Sequence, residues 1–450
     1  MAPLQPEPSA PPNTTHAAGR SSRRALLAGA IGNILEWYDF GLYGLLAPVL
    51  ARLFFPGQSH MAALLEVYGG FAAGFAMRPL GAVVLGRWGD RIGRRFVLVV
   101  SVALMGAATV AIGVLPSYAV IGLWAPVLLI VIRLFQGFSV GGEFVGSVTY
   151  LVEVAEPGRR GLTGSLANIG STVGMLLAAG AAALAAAWAG PKLLEGWAWR
   201  APFLAGGVLA LTGYLLRRHL PEPERRGGDA PAARAKPVAE AGGARRRQAP
   251  LGQALREAPR LMLLITLFTS GYGVADYLTM VFLPTFAHTW GRFPLAEVLR
   301  INTVGQAVAL AVVPLAGWIS DRFLRRGKLL TLAFAGVAVF AWEGFALARH
   351  GSSGGLWLAQ LGFAALFALM MGSAPAMLAE QFPPDYRVTG HAVAFNVGIG
   401  MAGGTAPLVA LALIHASGNP MMAAGYLIFA AVLAAVTVGL LPDRSRDSLL

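Results

Sequence analysis

"GRWGDRIGRR", residues 86–95, packs Asp90 and four arginines into ten positions between two long apolar runs. A near copy, "GWISDRFLRR", stands at 317–326, again between apolar runs. A weaker echo links "EVAEPGRRG" (153–161) to "EQFPPDYRVTG" (380–390). Both pairs occupy matching places in two successive sets of apolar runs. The chain therefore reads as two halves of similar build. Two six-helix halves in parallel repeat form a transporter architecture, with solute handled near the midplane between them.

Composition places these halves in a membrane. The chain has 450 residues, 56% hydrophobic and only 13% charged, with mean hydropathy +0.62. Soluble domains carry about 25% charged residues. A spanning helix needs about 20 apolar residues, and twelve such runs are predicted, at 25–53, 61–86, 96–115, 120–150, 162–189, 200–218, 259–288, 297–317, 329–349, 354–379, 389–416 and 420–441. The fold class is an all-α membrane protein of twelve transmembrane helices in two pseudo-symmetric halves. The 57 glycines suit close helix approach in lipid.

The organisation follows. Residues 1–24 read as a disordered cytoplasmic tail, Pro-, Ala- and Ser-rich with no apolar core, and not as a signal peptide. Residues 25–218 form the first half and 259–441 the second. Residues 219–258 form a flexible, basic cytoplasmic linker whose arginines could touch anionic lipid, and 442–450 a short cytoplasmic tail. The net charge of +13 comes from loops on one side of the predicted helices. It marks that side, with both termini, as cytoplasmic and does not point to nucleic acid. The chain has no cysteine, which excludes disulfides and thiol chemistry. No acidic or histidine cluster has metal-ligand spacing, no phosphate-binding glycine loop appears, and no catalytic constellation is present. We expect no metal, no cofactor and no enzyme activity.

Gly86, Asp90, Arg91, Gly93, Arg94 and Arg95 together resemble the loop motif of the major facilitator superfamily. The second copy has Leu324 where that motif has glycine, so its latch is expected to be shaped differently. "GNILEWYDFGLYG" (32–44), "MRPLGAVVLG" (77–86), "RLFQGFSVGGEFVG" (133–146) and "EGWAWRAPF" (195–203) resemble the metabolite:proton symporters within it. These include transporters of proline/betaine, citrate, alpha-ketoglutarate and shikimate. The segment "AFNVGIGMAGGTAPLVALALIHASGNPMMAAGYL" (394–427) is most similar to the proline/betaine branch. The resemblance implies proton-coupled symport, as uptake, of a small organic carboxylate or zwitterion by a monomer in the bacterial cytoplasmic membrane. Export by antiport, proton-independent facilitation, and a membrane receptor or scaffold remain the alternatives.

The stretch at 32–44 carries two acids inside an apolar run. Asp39 lies about 20 Å into the first helix at 1.5 Å per residue, and Glu36 about one turn shallower. A carboxylate there is costly unless paired, hydrated or protonated, so Glu36 and Asp39 are candidates for the coupling proton. Arg133, at matching depth in the fourth helix, is the expected partner, or a clamp for a solute carboxylate. The resemblance gives Arg133 and Gln136 a proton-transfer or substrate role. Tyr38, Asp276 and Tyr277 complete the expected solute contacts. Asp276 has three readings: a second proton site, a partner for a cationic solute group, or a residue of the outer vestibule. Tyr272, Tyr277 and Phe282 could form aromatic walls, which suit quaternary ammonium groups. Expected gating residues are Arg78, Asp90, Arg91, Arg94, Arg95, Glu143, Glu153, Asp321 and Arg322. Glu143 is expected to face Arg78 or the loop at 91–95, and the loop arginines to reach Glu153 or Glu156. Asn168, Gln306, Glu343, His391, Asn396 and His415 are weaker candidates, His391 lying too near the inner face for a midplane relay.

Overall fold

The structure is a computed structural model. It describes residues 31–57, 59–140, 143–218, 250–447 and 449, without the side chains of 86, 89, 90, 94, 95, 143, 144 and 250. The expected tail 1–24 and most of the expected linker, 219–249, fall outside the described residues.

Helices dominate the described residues, and twelve long segments account for most of them. In the first half these are α1 (31–45, continued by Ala47–Phe54), α2 (His60–Arg91), α3 (Arg94–Val114), α4 (Trp124–Ser139 and Glu143–Glu153), α5 (Arg160–Ser165 and Ala167–Leu193) and α6 (Arg200–Arg218). In the second they are α7 (Pro259–Asp276, Tyr277–Phe282 and Leu283–Thr289), α8 (Leu295–Arg322), α9 (Arg326–His350), α10 (Ser353–Gln381), α11 (Arg387–Val397, Gly398–Gly403 and Ala406–Ser417) and α12 (Met422–Leu440). Among the described residues, nine of the twelve are individually long and apolar enough to cross a membrane. The other three, α1, α4 and α6, are broken or carry terminal arginines. The outward surface is apolar: Leu184, Trp188, Val339 and Phe429 are mostly exposed, as lipid-facing side chains should be.

The halves meet along α2, α4 and α5 of one and α8, α10 and α11 of the other. One end of the bundle carries the α2–α3, α4–α5, α8–α9 and α10–α11 turns and is here called the linker end. Part of the expected linker is ordered there. Pro250–Glu257 is helical, because Leu251, Ala254 and Leu255 give it an apolar stripe, and Ala254 is fully buried.

The internal repeat extends to hydrogen bonding. Pro48 in α1 has no N–H to give the Gly44 carbonyl one turn back, and that carbonyl accepts the Tyr68 hydroxyl of α2 at 3.3 Å. Pro284 in α7 likewise frees the Met280 carbonyl, which accepts Asn302 Nδ2 of α8 at 2.9 Å. The π-helical turn before Pro284 also frees Thr279, whose carbonyl accepts Gln360 Nε2 of α10 at 3.3 Å. In lipid, such backbone groups must find partners inside the protein. The first helix of each half is thus broken at the same place and repaired by the second.

Candidate functional site

α1 carries both acids, but the bundle gives them separate partners. Asp39 is fully buried, with Oδ2 3.1 Å from Arg133 Nη1. Its Oδ1 accepts from Thr109 Oγ1 at 2.7 Å and Gln136 Nε2 at 2.5 Å. Glu36 instead meets Arg78 Nη2 of α2 at 3.2 Å. Residues three apart in a helix point about 60° from one another. That divergence is enough to send one acid toward α2 and the other toward α4. Arg78, expected as one of two partners for Glu143, thus pairs with Glu36.

Arg133 is placed by glycine. A Cβ on Gly137 would lie 1.8 Å from the Gly74 carbonyl oxygen, and one on Gly74 would lie 3.2 Å from the Arg133 carbonyl. Only glycine lets α2 and α4 approach this closely. The Arg133 guanidinium then sits 4.2 Å from the Tyr43 ring centroid and 4.7 Å from that of Phe40. Its Nη1 also donates to Gln136 Oε1 at 2.7 Å, whereas Nε and Nη2 make no hydrogen bond. The arginine is held by one acid, one amide and three rings, the third being Phe71 at 5.7 Å.

Beside this cluster, between the halves, lies a small cavity of about 20 Å³. Asp276 and Tyr272 of α7 line it, with Trp37 of α1, Asn168 of α5, Met371 of α10 and His391 of α11. Tyr277 backs the wall, its ring stacked on Trp37 at 6.3 Å and edge-on to Phe71 and Phe75. Of the five solute contacts expected from sequence, Asp276 is the one that lines the cavity. Arg133 and Gln136 are engaged by Asp39. Tyr38, turned about 100° from Trp37 by helix geometry, donates its hydroxyl to the Pro202 carbonyl of α6 at 2.6 Å. Trp37 and His391 were not expected there. His391 reaches the cavity from the second turn of α11, and both of its ring nitrogens are buried without a hydrogen-bond partner.

The halves close over the cavity on both sides. At the far end the Tyr68 hydroxyl meets Thr285 Oγ1 at 2.9 Å, joining α2 to α7. At the linker end Asp321, from the second motif copy, accepts the backbone N–H groups of Gly161 and Leu162 at the start of α5, both at 2.8 Å. A carboxylate at a helix N-terminus is favoured by the unpaired N–H groups and the helix dipole. Arg326 joins Asp321 at 2.9 Å and Glu380 at 3.3 Å, and Arg160 lies 3.6 Å from Glu380. Arg387 of α11 meets Glu153 of α4 at 2.7 Å. Glu153 therefore pairs across the halves, while Glu156 pairs locally with Arg159.

Arg322 and Arg91 are exposed, and Arg326, four residues after Arg322, takes the buried place. The side chains of Asp90, Arg94, Arg95 and Glu143 lie outside the described residues. Sequence reading passed over Arg160, Arg326, Glu380 and Arg387. Their signal is present in the chain, since each stands within one of the repeated stretches. Thr109 gave none, being a single hydroxyl in an apolar run. The segment after α12 also lies across this end: the Pro442 carbonyl accepts from Gln381, Ser445 from Arg326 and Asp447 from Arg160.

Comparison with known proteins agrees with this architecture. Residues 29–395 match the family model of the Major Facilitator Superfamily. The chain is 32% identical over 442 residues to the citrate-proton symporter of Klebsiella pneumoniae, covering 98% of this chain and 96% of that one. It is 32% identical over 430 residues to the proline/betaine transporter of Escherichia coli (strain K12), covering 92% and 82%. In fold it is similar to the crystal structure of a D-xylose-proton symporter, with TM-score 0.73 at 19% identity over 95% of this chain and all of that one. Two pseudo-symmetric six-helix halves, a closed cavity between them and these matches together establish that the protein is a multi-pass membrane transporter, not an enzyme, and belongs to the major facilitator superfamily.

Proposed function

We propose that the protein is a proton-coupled symporter that takes up a small organic solute across the bacterial cytoplasmic membrane, with the linker end and both termini inside. The observation that carries this is the Asp39–Arg133 pair, fully buried next to a cavity closed at both ends. An ionised pair in such a place holds only while both charges are present. Removing one strands the other at a cost of about 3–5 kcal/mol. When Asp39 accepts a proton, Arg133 loses its counter-charge, and α1 and α4 gain a reason to separate. A carboxylate exposed in one state and buried against arginine in another couples proton binding to which side is open.

The cross-half ion pairs at Asp321, Glu380 and Glu153 supply contacts that break as that side opens. Glu36 with Arg78 forms a second, partly exposed pair that tunes the same helix. The relatives named for citrate and proton, and for proline and betaine, support a solute that is a carboxylate or a zwitterion.

The test uses purified protein in proteoliposomes with a pH-sensitive dye inside. Citrate, alpha-ketoglutarate, shikimate, proline and glycine betaine are added in turn. Acidification of the lumen with at least one solute, lost in Asp39→Asn, is the expected outcome. Full proton-driven accumulation by both Asp39→Asn and Glu36→Gln overturns the proposal.

A further inference from the structure

The cavity walls constrain the charge of what enters. Asp276 lines the cavity, is 6% exposed, and among the described residues no hydrogen bond or ion pair engages its carboxylate. No lysine or arginine is part of the lining. The two arginines deepest in the first half are already committed, Arg133 to Asp39 and Arg78 to Glu36. They also stand against Phe40, Tyr43 and Phe75, on the other side of the Tyr277 ring from the cavity. His391 and Tyr272 are the other titratable groups in the lining, and His391 is fully buried with neither nitrogen bonded.

The internal repeat sharpens the contrast. Asp39 stands nine residues before Pro48 in α1, and Asp276 eight before Pro284 in α7. Each half therefore buries one acid at a similar level of its first helix. In α1 a resident arginine completes it. In α7 the acid faces the small cavity, with no lysine or arginine in its lining. A buried acid without a partner is costly in a membrane protein, and such groups mark substrate pathways.

We propose that the missing cation belongs to the cargo: the solute carries an ammonium or amidinium group that seats on Asp276. Trp37 and Tyr272 flank its apolar body, and aromatic faces attract cations as well as hydrocarbon. His391 offers an N–H to the opposite, acceptor end of the solute. A zwitterion satisfies both poles, whereas a tricarboxylate would lie beside Asp276 with no lining cation to offset the repulsion. This rests on the cavity being the transport site, and it decides what the comparisons leave even, since the citrate and proline/betaine relatives match at the same 32%.

Binding is measured by titration calorimetry on the full chain in detergent, without any proton gradient, so a failure of proton coupling leaves the readout intact. The panel is proline, glycine betaine, ectoine and choline against citrate, alpha-ketoglutarate and shikimate. We expect heat only from compounds with a cationic nitrogen, and a loss of affinity of about 30-fold or more in Asp276→Asn, the scale for truncating one partner of a buried charge pair. Thermal unfolding of that variant verifies its fold, and Asp276→Glu, which keeps the charge, should restore part of the affinity. Wild-type protein that binds none of the cationic compounds overturns the proposal. So does preferential binding of the anions, or an Asp276→Asn variant that binds as tightly as wild type, which would make Asp276 a protonated donor to a solute carboxylate.

Discussion

Asp39 and Asp276 occupy similar levels of the first helices of the two halves, yet among the described residues Asp39 alone has a cation beside it, Arg133 at 3.1 Å. The two acids are chemically alike and sit in similar solvent. Their different roles come from what the neighbouring helices present to them.

The Asp39–Arg133 pair should behave as a unit. Arg133→Gln is expected to destabilise the protein by about 3–5 kcal/mol, because it leaves Asp39 buried without its counter-ion. Asp39→Asn/Arg133→Gln should be more stable than Arg133→Gln alone, and both should lack proton-driven accumulation. Thermal unfolding in detergent, set beside dye-based acidification, checks this. A strictly additive double variant would mean that the two charges do not interact.

Opening of the linker end should be controlled by Asp321. The chain has no cysteine, so Ser165→Cys, at a fully buried position against Gly317, gives a unique maleimide target. Adding Asp321→Asn weakens two charge-assisted bonds to the start of α5. Such bonds contribute about 1.5–3 kcal/mol each. Labelling should therefore accelerate by about tenfold or more, tenfold corresponding to about 1.4 kcal/mol. An unchanged rate would show that the latch does not hold the closed state.

The close crossing of α2 and α4 should tolerate no side chain. Gly137→Ala puts a methyl group into the Gly74 carbonyl, and overpacking of this kind costs about 1–3 kcal/mol. It also moves Arg133 away from Asp39. We expect a lower unfolding temperature together with loss of coupling, while Gly146→Ala, with open space around it, should leave the unfolding temperature unchanged.

The repaired helix break in α7 makes a double-mutant cycle. Asn302→Ala strands the Met280 carbonyl, at about 1–3 kcal/mol for a buried unsatisfied group. Pro284→Ala returns an N–H that can reach that carbonyl. The two changes together should therefore cost less than their sum, as read from unfolding temperatures.

Much of this molecule was legible in the chain itself. Hydropathy is a local property, so the twelve segments and their approximate limits follow from the run lengths. The motif pair at 86–95 and 317–326 revealed the two halves because repetition needs no geometry to be seen. Buried charge is equally visible: Glu36, Asp39, Arg133 and Asp276 stand out as residues lipid would exclude. What the sequence could not assign was who meets whom. Arg78 goes to Glu36, Glu153 to Arg387 and Glu380 to Arg326 because of helix rotation and crossing distance. Those are set by contacts such as Gly74 on Gly137 and Gly161 on Gly317, between residues far apart in the chain. The same packing turned Tyr38 away from the cavity and brought Trp37 and His391 into it. The chain determined which charges are buried, and the tertiary structure alone decided which of them are neutralised from within, because pairing depends on distances that only the packed helices fix.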